Sequence, residues 1–135
     1  MKIQHLTKKE LEIMEILWKE QKPLTSSEIV ELSQNSSWKD SSIHILLNAL
    51  LKKELIKVDN FKQKGKTYAR TFLPAISFEE YTVSQIQQNK SFTFNSVPKI
   101  VATLLNNDKI SKEENKELLK TLQHVINEKA KNKLE

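Results

Sequence analysis

The chain has 135 residues, of which 38% are hydrophobic and 29% are charged, and its net charge is +5. This length suits one ordinary domain, or one small domain with an oligomerisation element, and argues against a two-domain enzyme. No apolar run approaches the roughly 20 residues that cross a bilayer, and the N-terminus lacks the apolar stretch of a signal peptide. We therefore expect a cytoplasmic protein with no membrane partner.

Several residue types are rare, and their rarity excludes whole classes of site. The chain has no cysteine, which excludes disulfides, thiolate zinc sites and cysteine nucleophiles. Gly65 is the single glycine, so glycine-rich phosphate loops are excluded as well. The histidines His5, His44 and His124 show no metal-ligand spacing, and no catalytic constellation of side chains is present. We expect no metal, no cofactor and no enzymatic activity.

The first two predicted helices are short and begin with the same signal. Thr7-Lys8-Lys9-Glu10 has the pattern of a capping box, and apolar residues then recur at helical spacing from Leu11 to Trp18. A second capping box at Thr25-Ser26-Ser27-Glu28 leads into another short amphipathic segment, which ends in the polar run from Ser33 to Ser37. Two helices are therefore expected close together in the first part of the chain.

A third helix is predicted from about Asp40, because apolar residues from Ile43 to Leu51 share one helical face. The opposite face is short and polar, and it carries no long acidic side chain. Such a face is more often simply solvated, but its place after two capped helices and before a basic hairpin favours contact with bases. The predicted base-reading residues are Ser41, Ser42, His44, Ile45 and Asn48.

After Leu55 the apolar pattern changes to alternation, which predicts a β-hairpin. Its strands are expected around Ile56 to Val58 and Thr67 to Phe72, with residues 60–66 as a flexible, positive connection. Lysines at a turn also commonly blunt a sheet edge. Three helices followed by a basic hairpin are typical of a winged helix, in which the hairpin touches the DNA backbone. The predicted phosphate-binding residues are Lys39, Lys57, Lys62, Lys64 and Lys66.

Three further helices are predicted after Pro74, over Phe78–Gln88, Pro98–Leu105 and Lys112–Glu128. The last carries an apolar stripe that three short helices could not bury among themselves, so a partner chain is expected to cover it. We predict a mainly α fold with a small β-hairpin wing, as a winged-helix DNA-binding domain over residues 1–74 and a helical dimerisation region over residues 75–135. The predicted dimer interface is Leu118, Leu119, Leu122, Val125 and Ile126.

The segment Leu6 to Trp18, which reads LTKKELEIMEILW, resembles the opening of the penicillinase-repressor family, the BlaI/MecI/CopY regulators. The resemblance continues in register as far as the hairpin and is looser in the tail. It runs through Ser27–Val30, Trp38, Ser42–Ile43, Leu46–Leu50, Lys52–Ile56 and Gly65–Tyr68, and then Phe94–Ser96 and Ile110–Glu114.

This resemblance implies a repressor that binds a pseudo-palindromic operator in double-stranded DNA as a homodimer, with an antibiotic-resistance or stress-response operon as the expected target. The chain departs from the family at His44 and Ala49, where long basic residues are usual, and at Glu54, where glycine is usual. We expect an altered operator sequence and a less comfortable helix end at Glu54, since a left-handed cap favours glycine.

Neither known route of induction in the family is supported by this sequence. Copper-responsive members use a cysteine cluster, and this chain has no cysteine. Members released by a sensor protease carry an Asn-Phe bond where an approximate alignment places Ser84-Gln85, so the inducer or sensor partner is left open.

The alternative interpretation is a winged helix used as a protein-interaction module without sequence-specific DNA binding. The departures at His44 and Ala49 are consistent with this alternative, because they remove charge from the face that would touch DNA. An enzyme ranks third, since it would need a site that no motif indicates.

Overall fold

A computed structural model describes residues 3–106 and 108–134, without the side chain of Leu134. The described residues form six α-helices and three β-strands, and short 3₁₀ turns, Asp40–Ser42 and Phe94–Ser96, precede the third and fifth helices. In chain order the elements are α1 (Lys8–Glu20), β1 (Leu24–Thr25), α2 (Ser26–Leu32), α3 (Ile43–Lys52), β2 (Ile56–Lys64), β3 (Thr67–Pro74), α4 (Phe78–Gln88), α5 (Val97–Leu105) and α6 (Lys112–Leu134).

Both predicted capping boxes are confirmed. At the start of α1 the backbone N–H of Glu10 donates to Thr7 Oγ1 at 3.2 Å, and the N–H of Thr7 donates to Glu10 Oε1 at 2.9 Å. Thr25 and Glu28 repeat this exchange at the start of α2. These reciprocal bonds satisfy amides that have no partner inside the helix, and so they fix where each helix begins.

The predicted hairpin is confirmed as β2 and β3, but its connection is shorter than expected. The prediction of a loop over residues 60–66 is wrong: β2 continues to Lys64, and a two-residue turn at Gly65 and Lys66 joins it to β3. Gly65 has a φ of 63°, which suits such a turn because glycine bears no Cβ. A register shift between Val58 and Asn60 interrupts the alternation of side chains along β2. The residues after the shift therefore do not continue the apolar alternation from which the strand was predicted.

The sheet has a third strand that the sequence does not reveal. Its order is β1-β3-β2, all antiparallel, with Leu24 opposite Phe72 and Thr25 opposite Thr71. A strand of two residues is too short to show any periodicity.

The core lies where α1, α2, α3 and the sheet meet, and it confirms the predicted mainly α fold with a hairpin wing. Apolar residues at helical spacing on α1 point inward together with those of α3, which is why the two helices share one core. The completely buried large side chains are Ile13, Met14, Leu17, Leu24, Ile29, Leu47 and Leu50.

Helix α4 packs on this core rather than forming part of a separate tail. The indole N–H of Trp18 donates to the Ile76 carbonyl at 2.9 Å. The Trp18 ring also lies 5.5 Å from Phe78, edge-on, and 5.8 Å from Tyr81 between ring centroids. Such aromatic contacts contribute stabilisation beyond that of the apolar area they bury. They attach the start of α4 to α1.

Residues 3–6, which we call the N-terminal strap, lie along α4. The N–H of Ile3 donates to Ser84 Oγ at 3.2 Å, and its carbonyl accepts from the Gln88 amide at 2.7 Å. The N–H of Leu6 donates to the Tyr81 hydroxyl at 3.2 Å. Residues 81, 84 and 88 recur at helical spacing, so one face of α4 supplies all these partners.

The contacts divide the chain into two compact units, Met1–Phe92 and Thr93–Glu135. The first unit continues past residue 74, the boundary expected from the sequence, because α4 packs on α1 and on the strap. In the second unit, which contains α5 and α6, no described residue is buried. The assignment of residues 1–74 to DNA binding and residues 75–135 to dimerisation stays a prediction.

An ion pair ties the start of α1 to the end of α3. Lys53 Nζ lies 2.7 Å from Glu10 Oε1, and the Glu10 side chain is only 4% exposed. Burial raises the pKa of Glu10, but the hydrogen bonds from Lys53 and Thr7 outweigh it, so the net pKa is lowered. A carboxylate buried this deeply requires such partners, and the pair therefore sets how α3 lies against α1.

Helix α3 ends in a strained position. Glu54 has a φ of 62°, which confirms the left-handed conformation expected there. The N–H of Leu55 donates to the Leu50 carbonyl and that of Glu54 to the Leu51 carbonyl, both at 3.0 Å. This is the Schellman pattern of helix ends, and a residue with a Cβ is disfavoured at its left-handed position.

Replacing Glu10 is expected to remove a pH-dependent part of the stability. Because its pKa is lowered in the folded state, this stabilisation is present above the unfolded glutamate pKa of about 4.3 and is lost as pH falls through the folded value. Glu10→Gln keeps the capping pattern and should cost about 1.5–3 kcal/mol at neutral pH. Urea unfolding should show the gap to wild type closing as pH falls from about 5 towards 3. The exposed carboxylate Glu15 provides the control: if Glu15→Gln gives the same pH profile, the assignment to Glu10 is wrong.

Replacing Glu54 with glycine is expected to stabilise the protein by about 1 kcal/mol, because it removes the strain of a left-handed residue with a Cβ. The midpoint of urea unfolding should rise without a change in slope. Lys52→Gly, two residues earlier within α3, is the matched control and should destabilise by about 1 kcal/mol. A lower midpoint for Glu54→Gly would contradict the strain at this position.

Candidate nucleic-acid interface

The face of α3 that points away from the core is exposed and free of acidic side chains. Residues Ile43, Leu47 and Leu50 are buried on the inner side of the helix, which fixes its rotation. No aspartate or glutamate occurs between Ile43 and Lys52. Of the predicted base-reading residues, His44, Ile45 and Asn48 are exposed on the outer side of α3. The other two, Ser41 and Ser42, are exposed and half-buried, and they lie in the 3₁₀ turn that leads into α3 and begins at the exposed Asp40.

The loop before this helix is attached to α1. One carboxylate oxygen of Glu12 accepts from the N–H of Ser37 at 3.0 Å and from its hydroxyl at 2.9 Å. Next to it, Trp38 is 4% exposed, and the Ser36 hydroxyl donates to its carbonyl at 3.0 Å. The sequence does not predict this role for Glu12, since nothing in its spacing sets it apart from the other acids.

The predicted phosphate-binding lysines occupy three different places. Lys64 and Lys66 are exposed at the hairpin turn, and Lys39 is exposed just before the 3₁₀ turn that leads into α3. Lys57 is also exposed but lies seven positions before Lys64 on β2, about 23 Å away at roughly 3.3 Å per residue. It lines a cavity of about 600 Å³ together with Trp18, rather than the wing tip.

Lys62 has an acidic partner within the chain. Its Nζ lies 3.1 Å from Glu28 Oε2, and the two side chains are 61% and 30% exposed. The N–H of Thr25 lowers the pKa of Glu28 most, burial opposes this, and Lys62 lowers it further. An exposed pair of this kind contributes only about 0.2–1 kcal/mol, so Lys62 is held lightly against the start of α2.

The hairpin also exposes aromatic and cationic side chains that the sequence analysis did not assign. Phe61 is 60% exposed and Tyr68 is 66% exposed. Phe61 lies opposite Arg70, whose guanidinium is 5.3 Å from the Phe72 ring centroid. Because residues two apart on a strand share a face, Tyr68 and Arg70 are on the same side of the wing. The two-residue spacing of positions 68, 70 and 72 is the signal that could have identified this face.

Three further observations concern parts of the chain away from α3. The Ser84-Gln85 bond lies within α4, where Ser84 is buried and hydrogen-bonded to the N-terminal strap. Among the described residues, no group of three or more histidines or carboxylates is placed to hold a metal ion. Over the same ranges, no helix is both long and apolar enough to cross a membrane.

The arrangement of α2, the connecting loop, α3 and an antiparallel hairpin with lysines at its tip defines a winged-helix protein. The sequence profile of the penicillinase repressor family matches residues 6–124, and the chain belongs to that family. It is a transcriptional repressor and not an enzyme.

Two individual proteins are similar to this chain. The penicillinase repressor of Bacillus licheniformis is 32% identical over 132 residues, which cover 95% of this chain and 97% of that protein. Among solved structures, Staphylococcus aureus MarR in complex with salicylate and kanamycin is similar at 18% identity and a TM-score of 0.41. The match covers 94% of this chain and 75% of that one.

Proposed function

We propose that the chain is a cytoplasmic homodimer that represses transcription by binding a pseudo-palindromic operator in double-stranded DNA. Each protomer places α3 in a major groove, with Ser41, Ser42, His44, Ile45 and Asn48 at the base edges. The name of the Bacillus licheniformis relative favours an antibiotic-resistance operon as the target, with a stress-response operon as the other candidate.

The observation that carries this proposal is the outer face of α3. It is exposed because the inner face is packed, and it bears hydroxyl, imidazole and amide groups with no acid within the helix. Side chains of these types form hydrogen bonds with base edges in the major groove. A helix of this width fits that groove, and the carboxylates that would repel phosphates are absent from it.

The positions of the lysines support contact with the DNA backbone beside the groove. Lys64 and Lys66 are exposed at the tip of the hairpin, and Lys39 is exposed just before α3. These charges flank the outer face of α3 in the chain order expected of a winged helix, whose wing touches the neighbouring phosphates. Lys57 lies too far along β2 to act with the wing tip, so we assign any phosphate contact of Lys57 to a separate point of the backbone.

The second unit supports a homodimer through α6. Leu118, Leu119, Val125 and Ile126 are between 41% and 50% exposed, and Leu122 is half-buried between them. They form one apolar stripe on a helix that runs for 23 residues. Burying such a stripe against the same stripe of a second copy removes apolar area from water on both chains. Two-fold symmetry in the protein would then match a palindromic operator.

A mobility-shift assay across a salt series, with fragments of the promoter region next to the gene, tests DNA recognition. We expect saturable binding to one fragment over random DNA, with affinity falling steeply as salt rises. Binding without sequence preference at every salt concentration would refute a repressor of a specific operator. No binding at low salt, with a protein partner retained, would favour the protein-interaction module instead.

The division between base-reading and phosphate-binding residues gives a first prediction for this assay. Lys64→Ala should weaken binding to all sequences about equally and flatten the salt slope by about one unit. Lys62→Ala should flatten it by less, because Lys62 is already paired with Glu28. His44→Ala should instead change the sequence preference. If Lys64→Ala and Lys62→Ala flatten the salt slope equally, the ion pair between Lys62 and Glu28 is not retained in the DNA complex.

The proposed dimer gives a second prediction. Leu122→Glu should shift the protein from dimer to monomer in sedimentation equilibrium, because it places a charge in the centre of the apolar stripe. His124→Glu introduces the same charge at an exposed residue that is three or four positions from no member of the stripe, and should leave the mass unchanged. An unchanged dimer in Leu122→Glu would show that α6 is not the main interface.

A further inference from the structure

One residue on the outer face of α3 differs in kind from its neighbours. Ile45 is 72% exposed, the highest exposure of any large hydrophobic side chain described in the first unit. Asn48 follows it by three residues on α3, which places Asn48 beside it on the same helical face. Ser41 precedes it by four residues, in the 3₁₀ turn that leads into the helix. Ala49, four residues after Ile45, is half-buried, so Ile45 is the one exposed apolar side chain of α3 and lies among exposed polar side chains.

The fold does not allow this side chain to be withdrawn from solvent. Ile43, Leu47 and Leu50 are buried on the other side of α3, so turning the helix to cover Ile45 would expose them. The Glu10–Lys53 pair at 2.7 Å also holds the end of α3 against α1. Ile45 thus stays exposed in the single protomer, and any group that covers it comes from another molecule.

The chemistry of the major groove supplies one apolar group at the base edges, the 5-methyl group of thymine. We propose that Ile45 packs against thymine 5-methyl groups in the operator and makes A·T pairs the preferred bases at that position. This inference rests on the proposed function and adds the base that the site selects. Asn48, one turn away, carries the amide that pairs with adenine.

A protein partner fits this surface less well than a base edge. Specific protein interfaces bury on the order of 1,200 Å² or more, with an apolar centre. Around Ile45 the exposed neighbours Ser41, His44 and Asn48 are all polar. A single apolar side chain ringed by hydrogen-bonding groups matches one methyl group beside polar base edges.

The test uses the full-length protein and duplexes that it selects from a random-sequence pool. Each thymine of the selected duplex is replaced in turn by deoxyuridine, which removes only the 5-methyl group. We expect about fourfold weaker binding at one or two positions of each half-site, the factor that corresponds to ~0.8 kcal/mol for one buried methyl-sized group. Ile45→Val should keep this sensitivity, and Ile45→Ala should lose it.

The outcomes separate this inference from the proposed function. The thymine contact would be overturned if no position of the selected duplex were sensitive to deoxyuridine, or if the sensitivity persisted in Ile45→Ala. In either case the proposed function as a sequence-specific repressor would stand. Selection that yields no preferred sequence would overturn the proposed function itself. Because Ile45 is exposed, thermal unfolding of both variants should match wild type, which excludes misfolding as the cause of lost sensitivity.

Discussion

The rotation of α3 about its own axis is the constraint on which the proposed interface depends. Ile43, Leu47 and Leu50 are buried, and a small rotation would expose several of them at a cost of about 1.5–3 kcal/mol each. The Glu10–Lys53 pair adds a directional contact at the far end of the helix. Apolar packing thus chooses which side chains face outward, and the ion pair limits how the helix can tilt.

The same elements that hold the fold together also shape the charge of the interface. Glu28 completes the cap of α2 and at the same time accepts Lys62 from the hairpin. Glu12 holds the loop before α3 through Ser37. These two carboxylates are therefore engaged in contacts within the fold, while Lys64 and Lys66 are exposed at the turn.

The second unit presents a different physical situation from the first. None of its described residues is buried, although α5 and α6 both carry apolar side chains at helical spacing. Helices gain most of their stability in proteins from packing an apolar face. The stability of these helices therefore depends on packing against another surface. The proposed α6 interface would supply that surface and would also assemble the dimer.

The elements that depend on local chemistry can be predicted from the order of the residues. The capping boxes at Thr7 and Thr25, the periodicity of α3 and the hairpin are set by residues a few positions apart. The strained end at Glu54 was expected from the resemblance to the penicillinase-repressor family, which usually has glycine there. Other features depend on distant contacts and appear only in the folded chain. They are the strand β1, the docking of α4 on Trp18, and the pairing of Lys62 with Glu28, residues 34 positions apart. Such contacts leave no local period in the sequence, because they arise only when packed elements bring remote side chains within bonding distance.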